Sequence, residues 1–210
     1  MQPQSALFIE GPKEDAGGDE SKKPVTPEML LYILSTLDLS RLEHVYLWGA
    51  LLTGYMFLLR ASEYLGESSE DWDELKVLTR GDVRFEQSGR YVSDWSQADE
   101  VQITIKASKT DQYREGARRS LTVSGEPICI VEALKKLFSA TPTLSDSAPL
   151  FVNPRQGMLT RAFISEVLKS AALDLGHTTT GLSSHSLRGG GATALWNAGR
   201  TTEEICYLGR

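Results

Sequence analysis

Ser184-His185-Ser186-Leu187-Arg188-Gly189-Gly190-Gly191-Ala192-Thr193-Ala194-Leu195-Trp196 sets the reading of the whole chain. Ser184 suits a helix N-cap and Gly199 with Arg200 suits a stop, so the segment between them predicts one helix. His185 and Arg188, three residues apart, then share one face of its first turn. An imidazole able to carry a proton, beside a guanidinium that grips two oxygens at once, at the positive end of a helix, makes a receptor for a phosphate. Each glycine from 189 to 191 costs a helix roughly 1 kcal/mol relative to alanine, so the run predicts close approach by another backbone or by a ligand.

Working outward, 210 residues with 40% apolar and 24% charged content predict one globular domain with room for a tail. The apolar run over 45–59 is shorter than the roughly 20 residues a bilayer span needs, and Gly49, Thr53 and Gly54 interrupt it. It reads as a buried helix, and no membrane association is expected. Met1-Gln2-Pro3-Gln4-Ser5 has no basic patch followed by an apolar core, so no signal peptide is expected. Cys129 and Cys206 have no metal-ligand rhythm and read as buried thiols of an intracellular protein. The net charge of −6 argues at first against a polyanionic partner, since phosphate contacts need lysine and arginine. Its distribution softens that objection: residues 1–62 sum to −3 and 63–100 to −7, whereas 101–210 carry 13 basic against 9 acidic groups. The basic surplus accompanies the predicted phosphate receptor, and local field decides where a polyanion docks.

Residues 1–24 read as a flexible acidic tail. Thr26-Pro27-Glu28 opens a helix running to about Leu37, and Ser40 with Glu43 forms a capping box for a longer one, buried on most sides. That helix is expected to run into Leu59-Arg60-Ala61-Ser62-Glu63, where Arg60 either snorkels to water or pairs with Glu63 or Glu67. Residues 66–75 form an acidic, solvated loop without the partners a metal site requires. Alternating segments at 77–85, 101–106 and 120–123 predict a small three-stranded antiparallel sheet. The connection over 107–119 carries Lys109, Arg114, Arg118 and Arg119, which suit either a soluble turn or an element that touches phosphate. Pro127 opens a helix to about Phe138, and Thr160 caps another from Arg161 to about Asp174 that Gly176 closes. The class is α+β, mainly α.

These residues resemble the tyrosine recombinases, the phage-integrase family of DNA strand-transfer enzymes. Their second signature box, His-x-x-Arg before a small-residue helix with Ala-Thr, is matched by His185-Ser186-Leu187-Arg188 and Ala192-Thr193. Their first box, an apolar helix ending in Arg-x-x-Glu, is matched by Arg60 and Glu63, with Thr53-Gly54 further upstream than in the commonest form and Asp82-Val83 at the strand that follows. The resemblance spans roughly residues 24–210 in the right order. It implies a tyrosine-recombinase catalytic-domain fold over 25–210. It further implies that Arg60 and Arg188 clamp a scissile phosphate, that Glu63 braces Arg60, and that His185 manages a proton or hydrogen-bonds the phosphate. A hairpin lysine would protonate the leaving oxygen, Lys109 being the best match and Lys106 the second. No metal or cofactor is implied, because the arginines supply the charge.

In that family a Leu-Gly-[His/Arg] turn brings a further phosphate ligand, and the nucleophilic tyrosine follows on the next helix. Residues 201–210 match the approach to the turn, so both groups are expected beyond Arg210 and the domain is expected to be incomplete at its C-terminus. Tyr207 is expected to pack, and Tyr55 and Tyr64 to serve the core. The tail is too short to be the separate DNA-binding domain that family members carry ahead of the catalytic one. The implied partner is double-stranded DNA, with an intact parent assembling as a tetramer on it. The implied location is intracellular: the nucleus of a eukaryote or the cytoplasm of a bacterium. Two other readings stay open. One is a non-catalytic DNA-binding remnant of a mobile element. The other is a structural helix, with His185 on a backbone carbonyl and Arg188 paired to Glu203 or Glu204.

Overall fold

The computed structural model describes residues 23–73, 75–106, 116–153 and 157–209. Helix α1 (Pro27–Thr36) begins as its sequence dictates, with Thr26 Oγ1 accepting from the Met29 amide at 3.2 Å and proline at the first helical position. Helix α2 (Leu42–Met56) is the centre of the fold, every residue from Val45 to Tyr55 being buried. An apolar helix without a polar stripe must be covered all round. Its expected capping box is not made: Ser40 bonds back to Asp38 Oδ1 through its amide and hydroxyl, and the helix starts after Arg41 with no side-chain cap. Helix α2 also ends at Met56, three residues short of the apolar run, and the cause lies in the site described below.

The sheet has four antiparallel strands where three were expected, in the order β2-β1-β3-β4. They are β1 (Val83–Gln87), β2 (Arg90–Tyr91), β3 (Glu100–Ile105) and β4 (Ala117–Thr122). The additional strand is a two-residue edge whose residues are both exposed, so it carries no apolar alternation to read. The Ser88-Gly89 turn creates it: both residues have positive φ, as a two-residue hairpin loop requires. Register pairs Val83 with Ile103 and Ile103 with Arg119, which turns Val83, Phe85, Val101, Ile103 and Ile105 into the core. Helix α3 (Ile130–Ala140) packs against α2 and the sheet, starting three residues after Pro127. A two-stranded sheet of β5 (Val152–Asn153) and β6 (Gly157–Met158) leads to α4 (Arg161–Asp174), which Thr160 caps through the Phe163 amide.

Helix α5 (Ser186–Asn197) packs on α2, and α6 (Thr202–Gly209) on α5. No residue of α6 is buried. Cys129 is buried as expected, but Cys206 sits on this peripheral helix and is exposed. Among the described residues no helix is long and apolar enough to cross a membrane.

Candidate active site

The site grows from the way α2 stops. Leu58 adopts φ +52, and the Leu59 amide donates to the Gly54 carbonyl at 3.2 Å. This is a Schellman ending with leucine at the left-handed position that glycine usually takes, at a cost of roughly 1–2 kcal/mol. The reversal removes residues 57–60 from the helix and leaves Arg60 extended, opening the short 3-10 turn Ala61–Glu63. The sequence alone continues the helix to Leu59 because no glycine marks the stop.

Arg60 and Glu63 are joined twice. Glu63 Oε2 accepts the Arg60 amide at 2.8 Å, and Oε1 faces Arg60 Nη1 at 3.4 Å. Glu63 is 3% exposed and the Arg60 side chain 24%, so the carboxylate is the inner partner and the guanidinium the outer one. Of the two acids the sequence offered, Glu63 is the one Arg60 meets. Glu67 pairs with Arg161.

Helix α5 delivers the second arginine. Arg188 Nη1 donates to the Leu58 carbonyl at 2.8 Å and Nη2 to the Gly209 carbonyl at 2.6 Å. The first bond joins residues 130 apart in sequence and places Arg188 at the C-terminal end of α2, where carbonyls attract a cation. It also ties Arg188 to the backbone two residues before Arg60. Glycines allow this approach: a Cβ at Gly190 would stand 2.9 Å from the Tyr55 ring and closer still to the Val25 carbonyl oxygen. One at Gly191 would stand 2.5 Å from Leu58 Cδ2 and closer still to the Tyr55 carbonyl oxygen. Gly189 has open space around it, so the expected close approach holds for two of the three glycines, and the approaching group is backbone. The chain before α1 adds a strap, Val25 N to the Ser186 carbonyl at 3.1 Å.

His185, not Ser184, occupies the N-cap position of α5, and it is exposed while Arg188 is half-buried. Ser184 is drawn inward instead, its amide donating to Ser165 Oγ on α4 at 2.9 Å. His185 and Arg188 remain one turn apart, as their spacing predicts. The acids proposed for a purely structural Arg188 face elsewhere in one case: Glu204 accepts from the Thr201 amide at 2.8 Å and pairs with Arg200.

Lys109 lies outside the described residues, as does Arg114. Lys106, directly after β3, is held by Asp82 Oδ2 at 3.1 Å and Thr79 Oγ1 at 3.4 Å. Asp82 also accepts the Thr79 amide and hydroxyl, so the aspartate that matched the first box organises the turn before β1. Sequence reasoning missed the part played by Arg119. It alternates inward on β4, donates to the Tyr207 carbonyl at 2.7 Å and stacks 4.7 Å from that ring's centre. The period-2 pattern of 117–122 was the available signal. Tyr207 itself is 72% exposed, against its expected packing role, because α6 buries no side chain. Tyr55 and Tyr64 are core residues as expected, the Tyr64 phenol being raised well above its ordinary range by burial and then by Glu63.

Chemically, the arrangement offers one guanidinium on a buried carboxylate, a second on main-chain carbonyls beside it, and an imidazole at a helix N-terminus. No family model and no curated protein sequence matches this chain. Solved structures do. A XerH site-specific recombinase bound to difH substrate, a pre-cleavage complex, superposes with a TM-score of 0.61 at 16% identity over 98% of this chain and 50% of that one. XerA recombinase follows with a TM-score of 0.55 at 13% identity, covering 92% and 56%. A lambda integrase dimer bound to a COC' core site gives 0.50 at 15% identity, covering 93% and 60%. The chain spans about half to three-fifths of the length of these proteins. Signature boxes and backbone agree, and the chain has the tyrosine-recombinase catalytic-domain fold.

Proposed function

We propose that this chain is the catalytic domain of a site-specific DNA recombinase or integrase, exchanging one phosphodiester for another without a metal ion. Arg60 and Arg188 neutralise the non-bridging oxygens of the scissile phosphate, and Glu63 holds Arg60 from behind. His185 shuttles a proton or hydrogen-bonds the phosphate. A tyrosine oxygen expected beyond Arg210 attacks phosphorus, the bond to the departing sugar oxygen breaks, and Lys109 supplies that oxygen's proton. The phosphodiester energy is kept in the covalent 3′-phosphotyrosine, so religation needs no cofactor. The observation that carries this reading is the bond from Arg188 to the Leu58 carbonyl, which joins the two signature boxes across the core. A phosphate arriving at Arg188 would compete with the Gly209 carbonyl for the same guanidinium. Double-stranded DNA is the proposed partner, with a tetramer as the proposed working assembly.

The test measures duplex binding by fluorescence anisotropy over a salt series, and covalent-complex formation by a chain extended through its following coding sequence. Arg60→Ala and Arg188→Ala are expected to weaken duplex binding by a few-fold, since each removes one of many phosphate contacts, while abolishing the covalent complex. Normal cleavage by either variant overturns the assignment. Salt-sensitive binding without any covalent complex in the extended chain would favour the non-catalytic remnant. No salt-sensitive binding at all would leave the arginines a structural role.

A further inference from the structure

Arg80 opens the 3-10 turn Arg80–Asp82 before β1 and is 4% exposed. A guanidinium stays charged in a protein interior and carries five N–H donors, so a buried arginine normally has a carboxylate on it. Among the described residues, the acceptor its side chain meets is the neutral Thr141 Oγ1, at 2.8 Å from Nη1. That hydroxyl donates its own proton to the Leu137 carbonyl. Arg80 Nε is buried with no acceptor. The guanidinium lies 3.9 Å from the centre of the Phe138 ring. Burial pushes it below its ordinary value, against weaker opposing effects from Tyr46 and Asp146. Among the described residues no carboxylate stands within ion-pair distance of it.

This half-satisfied cation lines a cavity of about 580 Å³. The volume is in the range that holds small organic ligands. Four aromatic residues are among those that line it: Phe138 stands edge-on to Phe85 at 4.9 Å and to Trp95 at 5.8 Å, and Tyr91 is exposed. Arg84 adds an exposed second cation and Asp146 a single acid, so the lining is net positive. Tyr91 and Trp95 offer ring faces, and the Arg80 N–H groups not spent on Thr141 offer charged donors to an oxyanion.

We propose that this cavity binds a small organic anion on a flat aromatic body, a nucleoside monophosphate or an aromatic carboxylate, with its charged oxygens on Arg80. The site is separate from the Arg60 and Arg188 constellation and does not depend on the recombinase reading. The turn that carries Arg80 also includes Asp82 and is capped by Thr79, the residues that hold Lys106.

The test is calorimetric titration of the chain with adenosine 5′-monophosphate, benzoate and inorganic phosphate, with heteronuclear NMR following the Trp95 indole. At least one of the two aromatic anions is expected to bind saturably, at least about tenfold more tightly than inorganic phosphate. Binding of the monophosphate alone identifies a phosphate ester, and of benzoate alone a carboxylate. Arg80→Met, a replacement that buried cations often tolerate, should weaken it about tenfold or more. Arg84→Ser, at an exposed position, should weaken it roughly threefold and serves if Arg80→Met does not fold. Arg188→Ala should leave it unchanged. The proposal is overturned if neither aromatic anion binds below about 10 mM, if affinity survives both Arg80→Met and Arg84→Ser, or if Arg188→Ala abolishes it.

Discussion

Placing a methyl group at Gly191 tests whether main-chain contact between α5 and the end of α2 holds the two arginines together. The new Cβ would stand 2.5 Å from Leu58 Cδ2 and nearer still to the Tyr55 carbonyl oxygen. The leucine can turn aside; the carbonyl belongs to a helix buried on every side and cannot. Restoring the 3.4 Å of ordinary contact with that carbonyl moves α5 outward by more than about 1 Å. The Arg188 bond to Leu58, now 2.8 Å, would then exceed the reach of a hydrogen bond. Overpacking of this kind costs up to about 3 kcal/mol, and alanine returns about 1 kcal/mol of helix propensity, leaving a net loss of about 2 kcal/mol. For a domain of this size that is a fall in Tm of roughly 4–8 °C. Gly189 is the internal control, because an added Cβ there meets nothing within 4 Å. Gly189→Ala should raise stability by up to about 1 kcal/mol through propensity alone. Urea and thermal unfolding of the two variants beside the parent decide the matter. If Gly191→Ala is as stable as the parent, or if both substitutions act alike, close backbone contact is not what positions α5.

Glu63→Ala should destabilise by about 3 kcal/mol, because it strips a buried carboxylate from the Arg60 amide and guanidinium; an unchanged urea midpoint would contradict that account. The Glu204 carboxyl is held below its ordinary value by the Thr201 amide and then by Arg200, so its support of the first turn of α6 is complete above the ordinary glutamate value and disappears as pH falls through the lowered one. The Thr201 amide resonance should therefore titrate in that acid window in the parent and stay flat in Glu204→Gln; a flat response in both would show that Glu204 does not hold that amide. Arg119→Ala should release α6 from β4, accelerating hydrogen exchange over residues 202–209 by up to about tenfold while leaving α2 protected. Equal exchange in both proteins would show that α6 is held by other means.

The residues of the candidate site were more legible than the shapes that place them. His185 with Arg188 follows from spacing, since three residues bring side chains together in one helical turn, whereas for Arg60 spacing left water, Glu63 and Glu67 open and the resemblance pointed to Glu63. The start of the Arg161–Asp174 helix was readable because Thr160 caps it as its chemistry requires. The end of α2 was not readable, because Leu58 takes a left-handed conformation that only tertiary contact imposes on a leucine. Nor was β2, whose exposed Arg90 and Tyr91 are recruited by a turn rather than by burial. Arg119 looked like one more surface cation until register placed it opposite Ile103 and turned it inward.

The join between the two signature boxes is written largely in main-chain atoms. Val25 and Leu58 contribute carbonyl or amide groups, Tyr55 a carbonyl, and Gly190 and Gly191 contribute the lack of a side chain. Replacing the side chain at 25, 55 or 58 with another that fits the core leaves the same polar atoms in the backbone, so the contact does not depend on which apolar residue stands there. In a saturation-mutagenesis map it would appear as two points, 190 and 191, that refuse every side chain, set against partners that accept others of core size.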